Sequence, residues 1–326
     1  MRYTIAWAFI CAAAYTYDPL LLLATLLAHL LIWVALVGGP SAFLEVLNAH
    51  LSPKLPPRAE RPGRRMLVIG AARGLGQACV AHASRRGWEV HGADAAPTPA
   101  LQHVDLTQPR SIRALCARLR DGGVRVLDAL LLVAGVCDAA PVAVPGSPLP
   151  RMLWANFLGH ACVVRELEAA GVVVRRVVLV SSGSYSRGGR HETEFFPRAW
   201  TPLGAMAAYA QSKFLATAWA HALRGADKPA RREVAIINPG PMRTQIGDAH
   251  VPLLLWPTYG LMKEVLFPPP AAAAAAVVFF AEEAGEPPEY VDIRAPGRLA
   301  AAALSVRAMK QVRAALDAAG ICDDEK

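Results

Sequence analysis

Between residues 64 and 294 the chain repeats one pattern: short, continuously apolar runs at 65–70, 88–93, 101–104, 127–134, 175–181, 232–237 and 289–293. Apolar helical stretches lie between most of them, near 75–86, 108–121, 150–170, 204–225 and 271–284. Runs without polar alternation belong to strands buried on both faces, and parallel strands need a helix-length crossover between them. The pattern predicts an α/β fold, a doubly wound parallel Rossmann-type sheet with helices on both faces. Residues 298–320 read as a further helix that the alternation does not place.

The segment ahead of this domain has a different character. Leu20–Val37 reads LLLLATLLAHLLIWVALV, with no formal charge and one histidine, His29. A bilayer core takes roughly 20 helical residues. One reading is an N-terminal transmembrane helix over about 20–38. The other is a re-entrant hairpin that also uses the apolar Ile5–Ala14, which is too short to cross alone. The length of the run argues against a cleaved signal peptide. Only Arg2 precedes it, whereas Lys54, Arg58, Arg61, Arg64 and Arg65 follow, which places the following domain on the cytosolic side. The division expected is 1–40 membrane anchor, 41–63 juxtamembrane linker, 64–294 Rossmann-type domain and 295–326 C-terminal helical tail. Residues 251–270, VPLLLWPTYGLMKEVLFPPP, interrupt the rhythm as an apolar insertion. A lid, a second membrane contact and a packed surface helix all remain open for it.

Bulk composition narrows the partners. Hydrophobic residues are 54% of the chain, charged residues 18%, and the formal net charge is +8. The arginines are scattered, with no basic arm, zinc-finger spacing or recognition helix, so nucleic acid is not an expected partner. The basic run beside the apolar segment suits an anionic lipid headgroup. None of the 6 cysteines forms a CxxC pair, so neither a metal site nor a disulfide framework is expected.

The run MLVIGAARGLGQACV sets Gly70, Gly74 and Gly76 after a strand and at a helix start. Glycines there allow a tight turn and let backbone approach a pyrophosphate, and the helix N-terminus favours the negative phosphates. Asp94 closes the next strand, where a carboxylate binds ribose hydroxyls or serves only as a turn residue. It would repel a 2′-phosphate, which favours NAD; Arg73, inside the glycine loop, offers a phosphate partner, so NADP stays open. Asp105 either reaches the adenine edge or begins the next helix beside Thr107.

Tyr209 and Lys213 stand four apart in the helical YAQSK, on one helix face. A phenol with a pKa near 10 is a weak base at neutral pH, and a neighbouring ammonium would lower that value. Such a pair can pass a proton to or from an alcohol while hydride moves to or from a nicotinamide. Ser181 and Ser182 end a strand at the ligand edge of a parallel sheet, where a hydroxyl holds a substrate oxygen or caps a turn. Asn156, inside LWANFLGH, is unfavourable in mid-helix. It implies a buried structural hydrogen bond or a water contact in a relay.

These pieces resemble, in content and order, the short-chain dehydrogenase/reductase superfamily over residues 64–294: GAARGLG at 70–76, Asp94, Asp105, VAG at 133–135, NFLGH at 156–160, VSS at 180–182, YAQSK at 209–213 and NPGPMRT at 238–244. The resemblance implies Tyr209 as general acid/base and Lys213 as its partner and a ligand of the nicotinamide ribose. Ser182, in preference to Ser181, orients the substrate oxygen, and Asn156 supports the proton relay through a water. It implies that Gly70, Arg73, Gly74, Leu75 and Gly76 wrap the pyrophosphate. Asp94, Asp105, Ala134 and Gly135 would flank the adenosine, and Pro239, Gly240 and Thr244 the nicotinamide end. The fold implied is a seven-stranded parallel sheet in a protein that is often a homodimer. NFLGH, the spacing from Ser182 to Tyr209, GEPPEY with Asp292 and the anchor look like the membrane-bound retinol-dehydrogenase-like members. Those act on retinoids, steroids or other lipid alcohols and carbonyls, commonly at the endoplasmic reticulum. Two departures stand out. The family's usual NNAG is LVAG here, with Leu132 and Val133 in place of both asparagines. Asp94 also occupies a position where retinol-dehydrogenase-like members often carry a basic residue. A non-catalytic nucleotide-binding membrane scaffold on the same fold is the alternative to the enzyme.

Overall fold

The computed structural model describes residues 63–96, 98–188, 202–225, 232–251, 267–282, 290–292, 295–296 and 306–321, with Trp256, Tyr259, Gly260, Lys263 and Glu264. The expected anchor at 1–40 and the linker up to residue 62 lie outside the described residues. Among the described residues no helix is long and apolar enough to cross a membrane.

The apolar runs are the strands of one sheet: β1 Arg65–Ile69, β2 Glu89–Asp94, β3 Gln102–His103, β5 Ala129–Leu132, β7 Arg176–Val180, β8 Glu233–Asn238, β9 Val291–Asp292 and the edge strand β10 Ala295–Pro296. Their spatial order is β10-β9-β8-β7-β5-β1-β2-β3. From β3 to β9 every pairing is parallel, giving the seven parallel strands expected. β10 adds an antiparallel eighth. Met66–Ile69, Leu130–Leu132 and Val177–Leu179 are fully buried; each such side chain contributes roughly 1.5–3 kcal/mol on leaving water.

Helices cover both faces. On one side α1 Gly74–Arg85 packs against α6 Pro270–Glu282. That layer is built from small residues, Cys79, Ala83, Ala273, Ala274 and Val277. The alanine run at 271–276 therefore begins a core helix. At its far end the Glu282 carboxylate accepts hydrogen bonds from Arg86 Nε at 2.6 Å and Trp88 Nε1 at 3.0 Å. On the other side lie α2 Pro109–Asp121, α3 Arg151–Leu153, α4 Gly159–Ala169, α5 Pro202–Gly225 and α7 Val306–Ala318. α3 runs into α4 through a π-turn, Trp154–Leu158. The unplaced C-terminal helix is α7; it packs on α5 and buries Ala308, Val312 and Ala315 in the same core as Leu215 and Ala218.

One expected strand is divided, and another is preceded by a short extra strand. The run 127–134 is β4 Val126–Leu127 and then β5, and the run 175–181 is preceded by β6 Val173–Val174. β4 and β6 form a separate two-stranded sheet. The break falls at Asp128, whose carboxylate accepts from Arg65 N at 2.9 Å and Arg175 Nη1 at 2.6 Å. Of the apolar insertion, the described part is tied to the loop after β8. Tyr259 Oη and Lys263 Nζ donate to Asp248 Oδ1 at 2.9 and 2.6 Å, and Arg243 Nη1 donates to Glu264 Oε2 at 2.5 Å.

Candidate active site

The chain passes from β1 to β2 on one side and later enters β5 on the other, so the crevice at the carboxyl ends of β1 and β5 is the topological switch point of the sheet. The glycine loop fills its floor. Gly70 has φ +93°, and a Cβ there would lie 2.6 Å from the Ala134 backbone. A Cβ on Gly76 would overlap the Gly70 carbonyl oxygen. Strand ends hold the loop from below: Gly70 N and Ala71 N donate to Ala93 O at 2.8 and 3.2 Å, and Ala134 N to Ile69 O at 2.9 Å. Leu75 points into the apolar layer beneath.

Gly74 opens α1, and the preceding Arg73 makes no side-chain capping bond. The first amides of the helix are thus left for another acceptor, and the helix dipole favours an anion there. Arg73 Nη1 donates to Gln245 Oε1 at 3.0 Å, joining the loop to the turn after β8. In that turn Gly240 has φ +71° and its amide donates to Asn238 Oδ1 at 3.1 Å, while Asn238 Nδ2 donates to Asp292 Oδ2 at 2.8 Å. Pro239 lies within this turn. Thr244 stands over the helix start, its methyl 3.3 Å from where a Gly74 Cβ would be. Its buried Oγ1 has no hydrogen-bond partner among the described residues. Glycines at Gly70 and Gly76 that leave no room for a Cβ, uncapped helix amides and a neighbouring threonine hydroxyl without a partner among the described residues fit the pyrophosphate and nicotinamide side of a dinucleotide.

Asp94 ends β2 beside the loop. Its Oδ2 accepts from Ala72 N at 2.9 Å and its Oδ1 from Ala96 N at 3.0 Å, so the carboxylate fixes the glycine loop at the edge where a ribose would lie. Asp105 has the contacts of the helix-start alternative. Oδ1 accepts from Thr107 N at 2.9 Å and Thr107 Oγ1 at 2.7 Å, and Oδ2 from Gln108 Nε2 at 2.7 Å.

The side chains expected to react converge on the end of β7. Tyr209 and Lys213 share one face of α5 and are 8% and 3% exposed. The Tyr209 hydroxyl is hydrogen-bonded to Ser182, and Ser182 also caps the following 3₁₀ turn, Gly183–Arg187, at 3.3 Å from Ser184 N. Ser181 faces inward, its Oγ 2.7 Å from Thr217 Oγ1. Lys213 Nζ donates to Val180 O at 3.0 Å. Burial lowers the amine to about 8. The Tyr209 phenol is pushed up, chiefly by burial and further by the neighbouring Cys137, against the bond from Ser182. This corrects the expectation that Lys213 brings the phenol down. Burial of the phenol decides the direction, and the Lys213 amine is itself buried and directed to the Val180 carbonyl.

Asn156 sits in the π-turn and is fully buried. Its Oδ1 accepts from Val136 N at 2.7 Å, and its Nδ2 donates to Val136 O and Ser212 Oγ, each at 2.9 Å. This is the structural-bond alternative, at a π-turn of the sort common at functional sites. A Cβ on Gly135 would lie 3.3 Å from Asn156 Oδ1 and 3.5 Å from Lys213 Nζ, so the turn after β5 lies close against the middle of α5. Sequence reasoning missed three neighbours. His160 Nε2 bonds Ala134 O at 2.9 Å; its four-residue spacing from Asn156 was the available signal. Cys137 Sγ lies 3.8 Å from Met206 Sδ, a contact across 69 residues that no local pattern marks.

Residues 66–231 match the model of the NAD dependent epimerase/dehydratase family. Retinol dehydrogenase 14 from Homo sapiens is 25% identical over 238 residues, 63% of this chain and 70% of that protein. Among solved structures, an uncharacterised protein from Mycobacterium Paratuberculosis aligns with TM-score 0.58 at 21% identity, covering 83% of this chain and 97% of that one. A short-chain dehydrogenase/reductase from Burkholderia multivorans with bound NADP aligns with TM-score 0.51 at 25% identity, covering 72% and 97%. The chain belongs to the NAD dependent epimerase/dehydratase family and is an NAD(P)-dependent oxidoreductase of the short-chain dehydrogenase/reductase superfamily.

Proposed function

We propose that this oxidoreductase interconverts a hydrophobic alcohol and its carbonyl, of the lipid, retinoid or steroid kind. The observation that carries the reading is the setting of Tyr209. It belongs to a small apolar cluster apart from the two core layers, with Met152 and Ala208, flanked by Val136, Cys137 and Met206. A substrate oxygen reaching the Tyr209–Ser182 pair would have a polar contact on one side and apolar, polarisable surface on the other. The name of the human relative, a retinol dehydrogenase, points the same way.

The nicotinamide, when bound, supplies or accepts the hydride. In the direction of reduction Tyr209 Oη gives its proton to the substrate oxygen, which Ser182 Oγ holds; oxidation reverses both steps. Lys213, whose Nζ lies 3.0 Å from Val180 O, would hold the ribose end of the dinucleotide. Asn156 fixes the Val136 backbone beside them. NAD is the preferred dinucleotide in this reading, because the Asp94 carboxylate repels a 2′-phosphate. The reading includes a tether through Leu20–Val37, with the catalytic domain facing the cytosol at the endoplasmic reticulum or a similar membrane. The convergence of Tyr209, Lys213, Ser182 and Asn156 favours it over the scaffold alternative, which needs none of the four.

The test is a panel of retinoids, sterols and long-chain alcohols offered with each dinucleotide to detergent-solubilised full-length protein. Apolar alcohols are expected to be turned over and small polar ones poorly. Tyr209→Phe is expected to abolish turnover while binding NADH with the wild-type Kd. Wild-type turnover in that variant, or a preference for polar substrates, defeats the reading.

A further inference from the structure

We propose that His160 is a positioning residue which, with Asn156, clamps the Ala134–Val136 turn and so holds the floor on which the dinucleotide and Lys213 are set. The two side chains come from neighbouring turns of one helical run and grip consecutive peptide groups. Asn156 takes both the amide and the carbonyl of Val136, at 2.7 and 2.9 Å, and His160 takes the Ala134 carbonyl, at 2.9 Å. Gly135, between the grips, is the residue whose Cβ position faces Lys213 Nζ at 3.5 Å. On the other side of the turn, Ala134 is the backbone against which Gly70 of the cradle closes.

The clamp answers the departure seen in the sequence. Where the family pattern has two asparagines, Leu132 is fully buried in the apolar core and Val133 packs on the opposite layer. Neither side chain can hold the turn by hydrogen bonding. His160 and Asn156 supply that hold from α4 and the π-turn.

The state of the ring supports a dedicated role. Ala134 O can only accept, so Nε2 carries the proton. Nδ1 is buried with no partner among the described residues. Burial, with the Lys213 charge acting in the same direction, lowers the ring to about 4, so it stays neutral and keeps one tautomer. A side chain that merely filled space would do so better as an aliphatic group, without an orphaned nitrogen.

Two variants and one spectrum test the proposal on the full chain. His160→Gln keeps a donor near Nε2; His160→Phe keeps a ring and removes it. His160→Phe is expected to weaken NADH binding about tenfold, the loss of roughly one hydrogen bond, with kcat at saturating dinucleotide within about threefold of wild type. His160→Gln is expected to restore the Kd to within about threefold. A purely structural role would lower the melting temperature of both variants and leave the Kd of the folded protein unchanged, and that result overturns the proposal. Should His160→Phe not fold, the ¹⁵N spectrum of the wild-type ring decides. A neutral Nε2–H tautomer that takes no second proton near the ordinary 6.5 is expected, and a ring titrating there overturns the proposal.

Discussion

Replacing Lys213 by Met keeps the length and apolar stem of the side chain and removes a charge from a place that water does not reach. Lys213 is 3% exposed, and burial lowers its amine from 10.5 to about 8. That difference corresponds to about 3 kcal/mol against the charged form. Below pH 8 the amine is charged in both the folded and unfolded chain, so the folded state carries the whole cost. The bond to Val180 O offsets about 1–2 kcal/mol of it. Lys213→Met is therefore expected to lose turnover and yet to be more stable than wild type by about 1–2 kcal/mol at about pH 7. Between about 8 and 10.5 the folded amine has lost its proton while the unfolded one keeps it. The unfolded chain then binds more protons, so wild-type stability rises with pH relative to the variant and the advantage of Met disappears. The thiols of Cys79, Cys116 and Cys162, all pushed up by burial, act in the opposite direction at alkaline pH because the unfolded thiols ionise first. They are common to both proteins and cancel in the difference. Denaturant unfolding of the two proteins across this range is the assay. A variant several kcal/mol less stable at neutral pH, or a stability difference that does not change with pH, would show that the amine is solvated or paired in the native state.

Two further substitutions test the dinucleotide cradle. Gly76→Ala places a Cβ on the Gly70 carbonyl oxygen, so the loop must move; NADH binding is expected to fall at least about tenfold by calorimetric titration, and an unchanged Kd would refute the packing. Asp94→Ser removes the carboxylate at the ribose edge while leaving an acceptor for Ala72 N. The ratio of NADP to NAD affinity is expected to rise about tenfold or more, and a constant ratio would take Asp94 out of cofactor choice.

Much of the scaffold was legible because its signals are local. Strand burial shows in the unbroken runs of β1, β5 and β7, and the glycine cradle in the spacing of Gly70, Gly74 and Gly76 after β1. The shared helix face of Tyr209 and Lys213 follows from a spacing of four. What was not legible depends on distant partners. Nothing near Asp128 announces that Arg175 and the Arg65 amide will divide a strand there. The sign of the Tyr209 shift is set chiefly by burial of the phenol, and spacing does not report burial. Asn156 and Asp105 each admit two readings from the sequence because their polar atoms have local and remote options. Asn156 bonds across 20 residues to Val136, whereas Asp105 bonds to Thr107 and Gln108 within its own turn.

The order of the strands says what shape of ligand joins these parts. Along β2-β1-β5-β7 the carboxyl ends carry Asp94, then Gly70, then Ala134 and Gly135, then Ser182 with Tyr209 behind it, and β8 follows with Pro239 to Thr244. Neighbouring strands lie roughly 4.8 Å apart, so Asp94 and Ser182, three strands apart, are separated by about 14 Å across the sheet. A compact ligand touches one end or the other. A molecule that bonds the Asp94 carboxylate and also presents a reacting atom to Tyr209 must be extended, and it must carry its negative groups in the middle, where α1 begins with uncapped amides. A dinucleotide meets both requirements, with its pyrophosphate over the switch point. The apolar cluster around Tyr209 is built from other side chains, Met152, Cys137 and Met206, none of which belongs to the glycine cradle.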